Sequence, residues 1–313
     1  MIVTDAMPKR VRVHSIRKNV VLYLMLLPGL AYLIVNNYLP MAGLVVAFKS
    51  YNFRSGIFGS PWTGLDNFVY LFKTDAAYLI TRNTLLYNLS FIALTTFIAV
   101  IMAILLNEVR SKRSIKIYQT TVLLPYLISM IIVSYIVFAL FSSENGLVNK
   151  FIIPFFNRLP VRWYSERKYW PAILTITYLW KNFGFYTIIY YASVIAIDYD
   201  YYEAAILDGA SKMRQVVNIT LPLIRPVIVA MVLLAIGRVF YSDFGLFYQV
   251  PRDSGALYSV TNTIDTYVYR ALINLGDVGM SSAACLYQSV VGFMLVLCAN
   301  LLVRKIDPDS ALF

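Results

Sequence analysis

Charge is what this sequence has least of. Only 14% of its 313 residues are charged, against roughly 25% in an ordinary soluble domain. A water-facing surface does not tolerate so large a deficit, so nothing here suggests a soluble enzyme. Histidine is almost missing: His14 is the single one, in a basic N-terminal run. A histidine metal site and a histidine general base are therefore both excluded as readings. The only cysteines, Cys285 and Cys298, stand in one apolar run. Their spacing is about 20 Å along a helix, beyond disulfide reach, and they read as small apolar residues. The sequence has no Walker A motif, no glycine-rich nucleotide loop, no zinc spacing, no internal repeat and no low-complexity tract. It holds no phosphate cradle of its own. If it works with ATP, another subunit binds the nucleotide.

What is plentiful is apolar surface, with 59% hydrophobic residues and a mean hydropathy of +0.67. About 20 apolar residues in a helix cross a hydrocarbon core of about 30 Å. Six stretches meet that test, at approximately 20–48, 79–106, 118–141, 169–197, 223–241 and 281–303. The expected fold is an all-α membrane protein with six transmembrane helices. Pro28 and Pro40 predict a kink in the first span, or an exit from the membrane before Phe48. That first run is too long for a signal peptide, and no small-residue cleavage site follows it.

The formal net charge is +11, and its placement points to a membrane rather than to nucleic acid. Lys9, Arg10, Arg12, Arg17 and Lys18 precede the first span, and Arg110, Lys112, Arg113 and Lys116 follow the second. Lys212 and Arg214 follow the fourth, and Arg304 and Lys305 follow the sixth. Basic residues are about twice as dense on this side, which by the positive-inside rule puts both termini in the cytoplasm. Five basic residues between Ser142 and Lys168 run against the bias. Tyr38, Tyr118, Tyr169 and Trp170 fall at span edges and suit an interfacial belt. The chain divides into a cytoplasmic basic tail at 1–18, a single transmembrane domain at 19–304 and a cytoplasmic tail at 305–313.

One cytoplasmic link, 199–226, is more than a connector. Asp200 and Glu203 have capping-box spacing, Asp208-Gly209 reads as a helix stop, and Ser211 can cap a second helix. Met213, Val216, Val217 and Ile219 give that helix an apolar side, and Leu221-Pro222 is expected to end it. Read from the residues alone, this is a surface helix-turn-helix or an ordinary amphipathic connector.

The run Glu203-Ala204-Ala205, Asp208-Gly209-Ala210, Leu221-Pro222 and Pro226 resembles the EAA motif of binding-protein-dependent ABC importer permeases. An aromatic often found in the family's second helix is replaced here by Val216 or Val217. Trp62-Thr-Gly-Leu-Asp-Asn-Phe68 and Asn83-Thr84-Leu85 look like landmarks of the maltose-type, sugar-importing branch. Leu22-Tyr-Leu-Met-Leu-Leu-Pro-Gly29, Leu105-Leu-Asn-Glu108 and Ile264-Asp-Thr-Tyr-Val-Tyr-Arg270 look like the part of that branch that handles complex polysaccharides and oligosaccharides. The resemblance implies a type I ABC importer permease fold in the bacterial cell membrane, importing oligosaccharides and without enzymatic activity. It also implies a second permease in a heterodimer, two ATPase subunits that bind ATP and Mg, and an extracytoplasmic sugar-binding protein. The 199–226 loop would carry the coupling helix that docks on the ATPase.

Polar residues inside the spans suggest a pathway. Trp180, Lys181 and Asn182 lie near the middle of the fourth span, and Arg238 in the outer half of the fifth. Buried charges in a membrane face a cavity or a partner. Lys181 could instead pair with a carbonyl or a carboxylate, and Arg238 could snorkel to the interface. Tyr186, Tyr190, Tyr241, Phe244 and Tyr248 are candidates to stack on sugar faces. Lys181 beside Trp180 would suit a sugar carrying a carboxylate. On a continuous helix Arg238 and Asp243 stand about 140° apart, a poor arrangement for a mutual pair. Arg82 and Arg225, at span ends, read as interfacial anchors. An ion-coupled secondary transporter would need acidic residues or histidine at membrane depth, and no span has an acid at its middle. A non-transport membrane scaffold gives no reason for the long loop match.

Overall fold

The computed structural model describes residues 20–73 and 75–306. Most of the N-terminal tail, with its five cations and His14, lies outside the described residues, as does the chain beyond Ile306. The described residues are helical, with one isolated bridge between Lys49 and Trp62. In chain order the main helices are α1 (Val20–Phe48), α2 (Asp66–Lys73), α3 (Asp75–Asn107), α4 (Lys112–Leu127) and α5 (Met130–Phe141). After a long loop come α6 (Trp170–Ile195), α7 (Asp200–Leu207), α8 (Lys212–Ile236), α9 (Ile264–Asn274) and α10 (Val278–Ile306).

Four of these, α1, α3, α8 and α10, are long and apolar enough to cross a membrane, and α4 with α5 makes a fifth if counted as one broken span. The expected straight span at 118–141 is corrected: α4 and α5 meet at 94°. Ile128 has extended backbone and Ser129 caps α5 by accepting the Ile132 N–H, so each half is a properly ended helix. The 26-residue α6 is long enough to cross, but Lys181, Asn182 and its threonines dilute its hydropathy. The expected span at 223–241 is also corrected. Its helix begins at Lys212 and stops at Ile236.

Proline explains one recurring irregularity. Three π turns, Ile34–Tyr38, Val148–Ile152 and Val216–Thr220, each stand immediately before an X-Pro pair: Leu39-Pro40, Ile153-Pro154 and Leu221-Pro222. In each, the residue before the proline donates its N–H five residues back. Proline lacks an N–H and its ring collides with the carbonyl four residues earlier. One wider turn moves that carbonyl aside and lets the helix continue. So Pro40 does not break α1, which continues to Phe48, and Leu221-Pro222 does not end the helix begun at Ser211.

The α3–α6 pair is the most extensive packing in the protein. Small residues let it close, with Ala99 and Ala103 fully buried; at a second crossing, Gly184 of α6 lies against the Val122 backbone of α4. An aromatic core gathers Tyr87, Phe91, Trp163, Trp170 and Phe247. Asn149 organises the loop above it with four bonds: its amide reaches the Ser143 and Val161 carbonyls, and its oxygen accepts from Val161 N and Trp163 Nε1. By contrast, α1 is bare from Val20 to Ala42 and joins the bundle only through its last turns, which pack on α10.

Candidate functional site

A cavity of about 420 Å³ opens among α3, α6, the end of α8 and the backbone that follows it. Tyr178, Asn182 and Tyr186 line it from α6 at i, i+4 and i+8, which places them on one helix face. Asn88, Thr95 and Thr96 face them from α3. The third wall carries Arg238, Tyr241 and Asp243. Phe91 fixes the Tyr178 ring by stacking on it, with centroids 3.9 Å apart and planes 7° from parallel. The Asn182 amide donates to the Tyr178 carbonyl at 2.9 Å.

The third wall is not helix. Beyond Gly237 the chain turns, and Arg238 and Tyr241 stay exposed while Val239 and Phe240 bury against the α3–α10 side. The helical angle between Arg238 and Asp243 therefore does not apply, and both reach the same cavity. They form no ion pair; the Asp243 carboxylate accepts the Leu246 N–H at 3.0 Å. The Arg238 side chain has no hydrogen-bond or ion-pair partner among the described residues, which leaves a cation free at the wall. Tyr178, Asn88 and Asp243 are missing from the sequence-based pathway, although the i, i+4 polar stripe of α6 could have shown Tyr178.

Four of the proposed pathway residues, Asn182, Tyr186, Arg238 and Tyr241, meet at this cavity. Three do not. Tyr190 is fully buried among Ala99, Val194 and Ile224, and Trp180 is exposed outside the cavity. Lys181 faces the α4–α5 break. Its Nζ donates to the Pro125 carbonyl at 3.3 Å, to that of Tyr126 at 3.0 Å, and to that of Ile128. Those carbonyls belong to the last turn of α4 and to its C-cap Ile128, where a helix end leaves carbonyls short of partners and a cation is favoured. The carbonyl reading of Lys181 replaces the sugar reading. Phe244 and Tyr248 stack on each other at 4.9 Å and against Tyr269, away from the cavity.

On the other side of the bundle, α7 ends in a Schellman motif. The Ala210 N–H reaches the Ala205 carbonyl at 2.9 Å, the Gly209 N–H reaches Ile206 at 3.0 Å, and Gly209 sits at φ +73°. Ser211 accepts the Arg214 N–H and starts α8. At the other end Asp200 is not the cap: it is already helical, and its N–H is taken by Asp198 Oδ1 at 3.1 Å. Tyr202 ties the loop to α8 through Thr220 at 2.9 Å. The expected apolar side of the second helix is only half realised, since Met213 and Val217 are exposed. Ile206, Leu207 and Met213 thus present an uncovered apolar knuckle, with open space around Gly209 and with Glu203 and Ala204 exposed beside it.

Several sequence landmarks prove to be ties. Asn67 donates to the Ala47 and Lys49 carbonyls and abuts Gly279 of α10. Asn83 holds the Ser259 and Asn262 carbonyls, and Thr84 accepts the Ile264 N–H. Arg270 pairs with Asp253 at 2.7 Å. Glu108 meets Lys212 at 3.2 Å, an exposed pair that contributes little to stability. Arg82 is bonded to Asn83 and Ser259 rather than standing as a free anchor, whereas Arg225 is exposed.

Residues 81–309 match the family described as the binding-protein-dependent transport system inner membrane component. The chain is 35% identical over 289 residues to the polygalacturonan/rhamnogalacturonan transport system permease protein YteP of Bacillus subtilis (strain 168), covering 92% of this chain and 89% of that protein. It is 29% identical over 287 residues to the trehalose/maltose transport system permease protein MalF of Thermococcus litoralis, covering 91% of this chain and 92% of that one. Among solved structures it resembles a chain of a bacterial ABC transporter involved in the import of the acidic polysaccharide alginate. There the TM-score is 0.85 at 30% identity, over 93% of this chain and 98% of that chain.

Proposed function

Since the chain belongs to the binding-protein-dependent transport system inner membrane component family, we propose that it imports acidic oligosaccharides through the cavity bounded by Arg238. The relatives named for their cargo include a polygalacturonan/rhamnogalacturonan permease and an importer of alginate. An unpartnered guanidinium in a cavity walled by tyrosines and asparagines suits such a ligand. The cation takes a carboxylate through charge-assisted bonds, roughly twice as strong as neutral ones, while ring faces and amides take the sugar body. The free Arg238 is the observation that carries this reading.

The rest of the machine follows the family. Six spans are counted by adding α6 and the bent α4–α5 pair to the four apolar helices, with both termini cytoplasmic in the bacterial inner membrane. Gly209 and its neighbours Glu203, Ala204, Ala205, Asp208 and Ala210 form the ATPase-coupling surface, with Leu221 and Pro222 fixing the helix behind it. Two ATPase subunits supply ATP and Mg, a second permease completes the pathway, and an extracytoplasmic protein delivers the sugar. The exposed knuckle of Ile206, Leu207 and Met213 supports such a docking face. Membership of this family supports the importer over an ion-coupled transporter or a scaffold. The test is uptake, by the complex reconstituted with its partners, of tetragalacturonate and of its methyl ester. Arg238→Gln should slow the acid about tenfold more than the ester, as expected for losing one bond to a charged group. Equal slowing of both would remove Arg238 from substrate selection.

A further inference from the structure

The wall that carries Arg238 should not hold its shape unaided. It is irregular backbone beyond the end of α8, and its short turns leave the Ser242 N–H and the carbonyls of Val239, Phe240 and Tyr241 without backbone partners among the described residues. The partners come from three separate helices. Asn88 of α3 gives its amide to the Val239 carbonyl at 2.7 Å and to that of Tyr241 at 3.1 Å. Gln288 of α10 gives its amide to the Phe240 carbonyl at 2.6 Å. Asp265 of α9 accepts both the Ser242 N–H at 2.6 Å and the Ser242 hydroxyl at 2.7 Å on one oxygen. The same Gln288 amide reaches the other Asp265 oxygen at 3.2 Å, so the two side chains act as one bracket. Gln288 is buried, and neither it nor Asp265 lines the cavity.

We propose that Gln288 and Asp265 are positioning residues for substrate selection: they brace the unwound segment 237–243 from behind in the path that aims Arg238 at the cargo. The proposal rests on the cavity reading given above and adds residues that never touch the sugar. Short backbone turns hold the N–H groups of 237–239 and 241, and side-chain bonds hold the carbonyls of 239–241, so losing one frees the backbone next to Arg238 without removing the guanidinium. Selectivity between charged and uncharged cargo should fall, while the cavity itself stays open.

The experiment uses the assembled transporter in proteoliposomes, with uptake of tetragalacturonate and of its methyl ester measured in parallel. Gln288→Leu removes the donor and keeps the side chain's bulk. Its acid-over-ester ratio of kcat/KM should drop about threefold to tenfold, the range for leaving the Phe240 carbonyl unpaired once both bonds of the Gln288 amide are lost. Combined with Arg238→Gln, it should lower that ratio no further than Arg238→Gln alone, because both act through the same charge. Asp265→Asn, nearly isosteric, should move the ratio in the same direction and serves if the leucine variant does not assemble. An equal loss for acid and ester, or full additivity in the double variant, overturns the positioning role while leaving Arg238 in place. No effect of Arg238→Gln on the ratio overturns both the role and the cavity reading.

Discussion

Replacing Gly184 by alanine is the smallest change expected to disturb the whole pathway. A Cβ built there would stand 1.8 Å from the Val122 carbonyl oxygen, 2.5 Å from its carbon and 3.1 Å from the Leu123 nitrogen. All three are backbone atoms in the middle of α4, so no side chain can rotate away. The helices would have to part by about 1 Å or more to restore contact distances near 3 Å or beyond. Overpacking of this kind costs about 1–3 kcal/mol. A second loss follows, because Lys181 lies one turn before Gly184 and its ammonium caps the end of the same α4. Bonds to a charged group contribute about 1.5–3 kcal/mol when intact, so the combined expectation is a loss of about 3 kcal/mol or more. For a chain of this size that corresponds to a fall in Tm of about 5 °C or more in thermal unfolding of the detergent-solubilised protein. Gly43→Ala is the control, since its Cβ meets nothing within 4 Å and its backbone is not left-handed. A Gly184→Ala protein that melts and transports like the unmodified one would refute the backbone-to-backbone crossing of α4 and α6.

Gly209→Val should keep membrane insertion but lose stimulated ATPase activity and uptake, because a β-branched residue strongly resists φ +73°; normal uptake at normal expression would remove the loop from coupling. Lys181→Gln should slow acidic and neutral oligosaccharides alike, since the ammonium is committed to α4 carbonyls; a loss confined to the acid would return Lys181 to the pathway. Cysteines placed at Ser114 and Ser211 should react with an impermeant thiol reagent only from the cytoplasm, and one at Ser55 only from outside. The reverse pattern would invert the topology.

The 199–226 loop was readable because its chemistry is local. Gly209 as a left-handed stop and Ser211 as a cap depend on near neighbours, and the structure places both as their residue types require. Asp200 fails as a cap for a similarly local reason, since Asp198 reaches the Asp200 N–H first. The cavity was harder to see. Hydropathy cannot tell whether an apolar run is one helix, so the turn at Ile128 and the early stop at Ile236 were both missed. Once α8 ends at Ile236, Arg238 and Asp243 leave the helical count that had separated them. Lys181 shows the limit from the other direction. Its residue type announces a costly charge, but which of several acceptors meets it depends on where α4 ends, fifty residues earlier in the chain.

The π turn at Val216–Thr220 inserts one residue into the rod that runs from Ser211 to Ile236. One residue is about 100° of rotation, so every side chain beyond it is turned by that amount relative to an uninterrupted helix. Pro222, with no N–H to give, prevents the extra residue from migrating further up the rod. The angular phase between Gly209 at one end and Gly237 at the other is therefore locked, as in a crank whose throw is set when it is forged. Deleting a single residue between Val216 and Thr220 would leave helix at both ends and yet turn α7 and its Gly209 stop by about 100° relative to the Pro222 end of the rod.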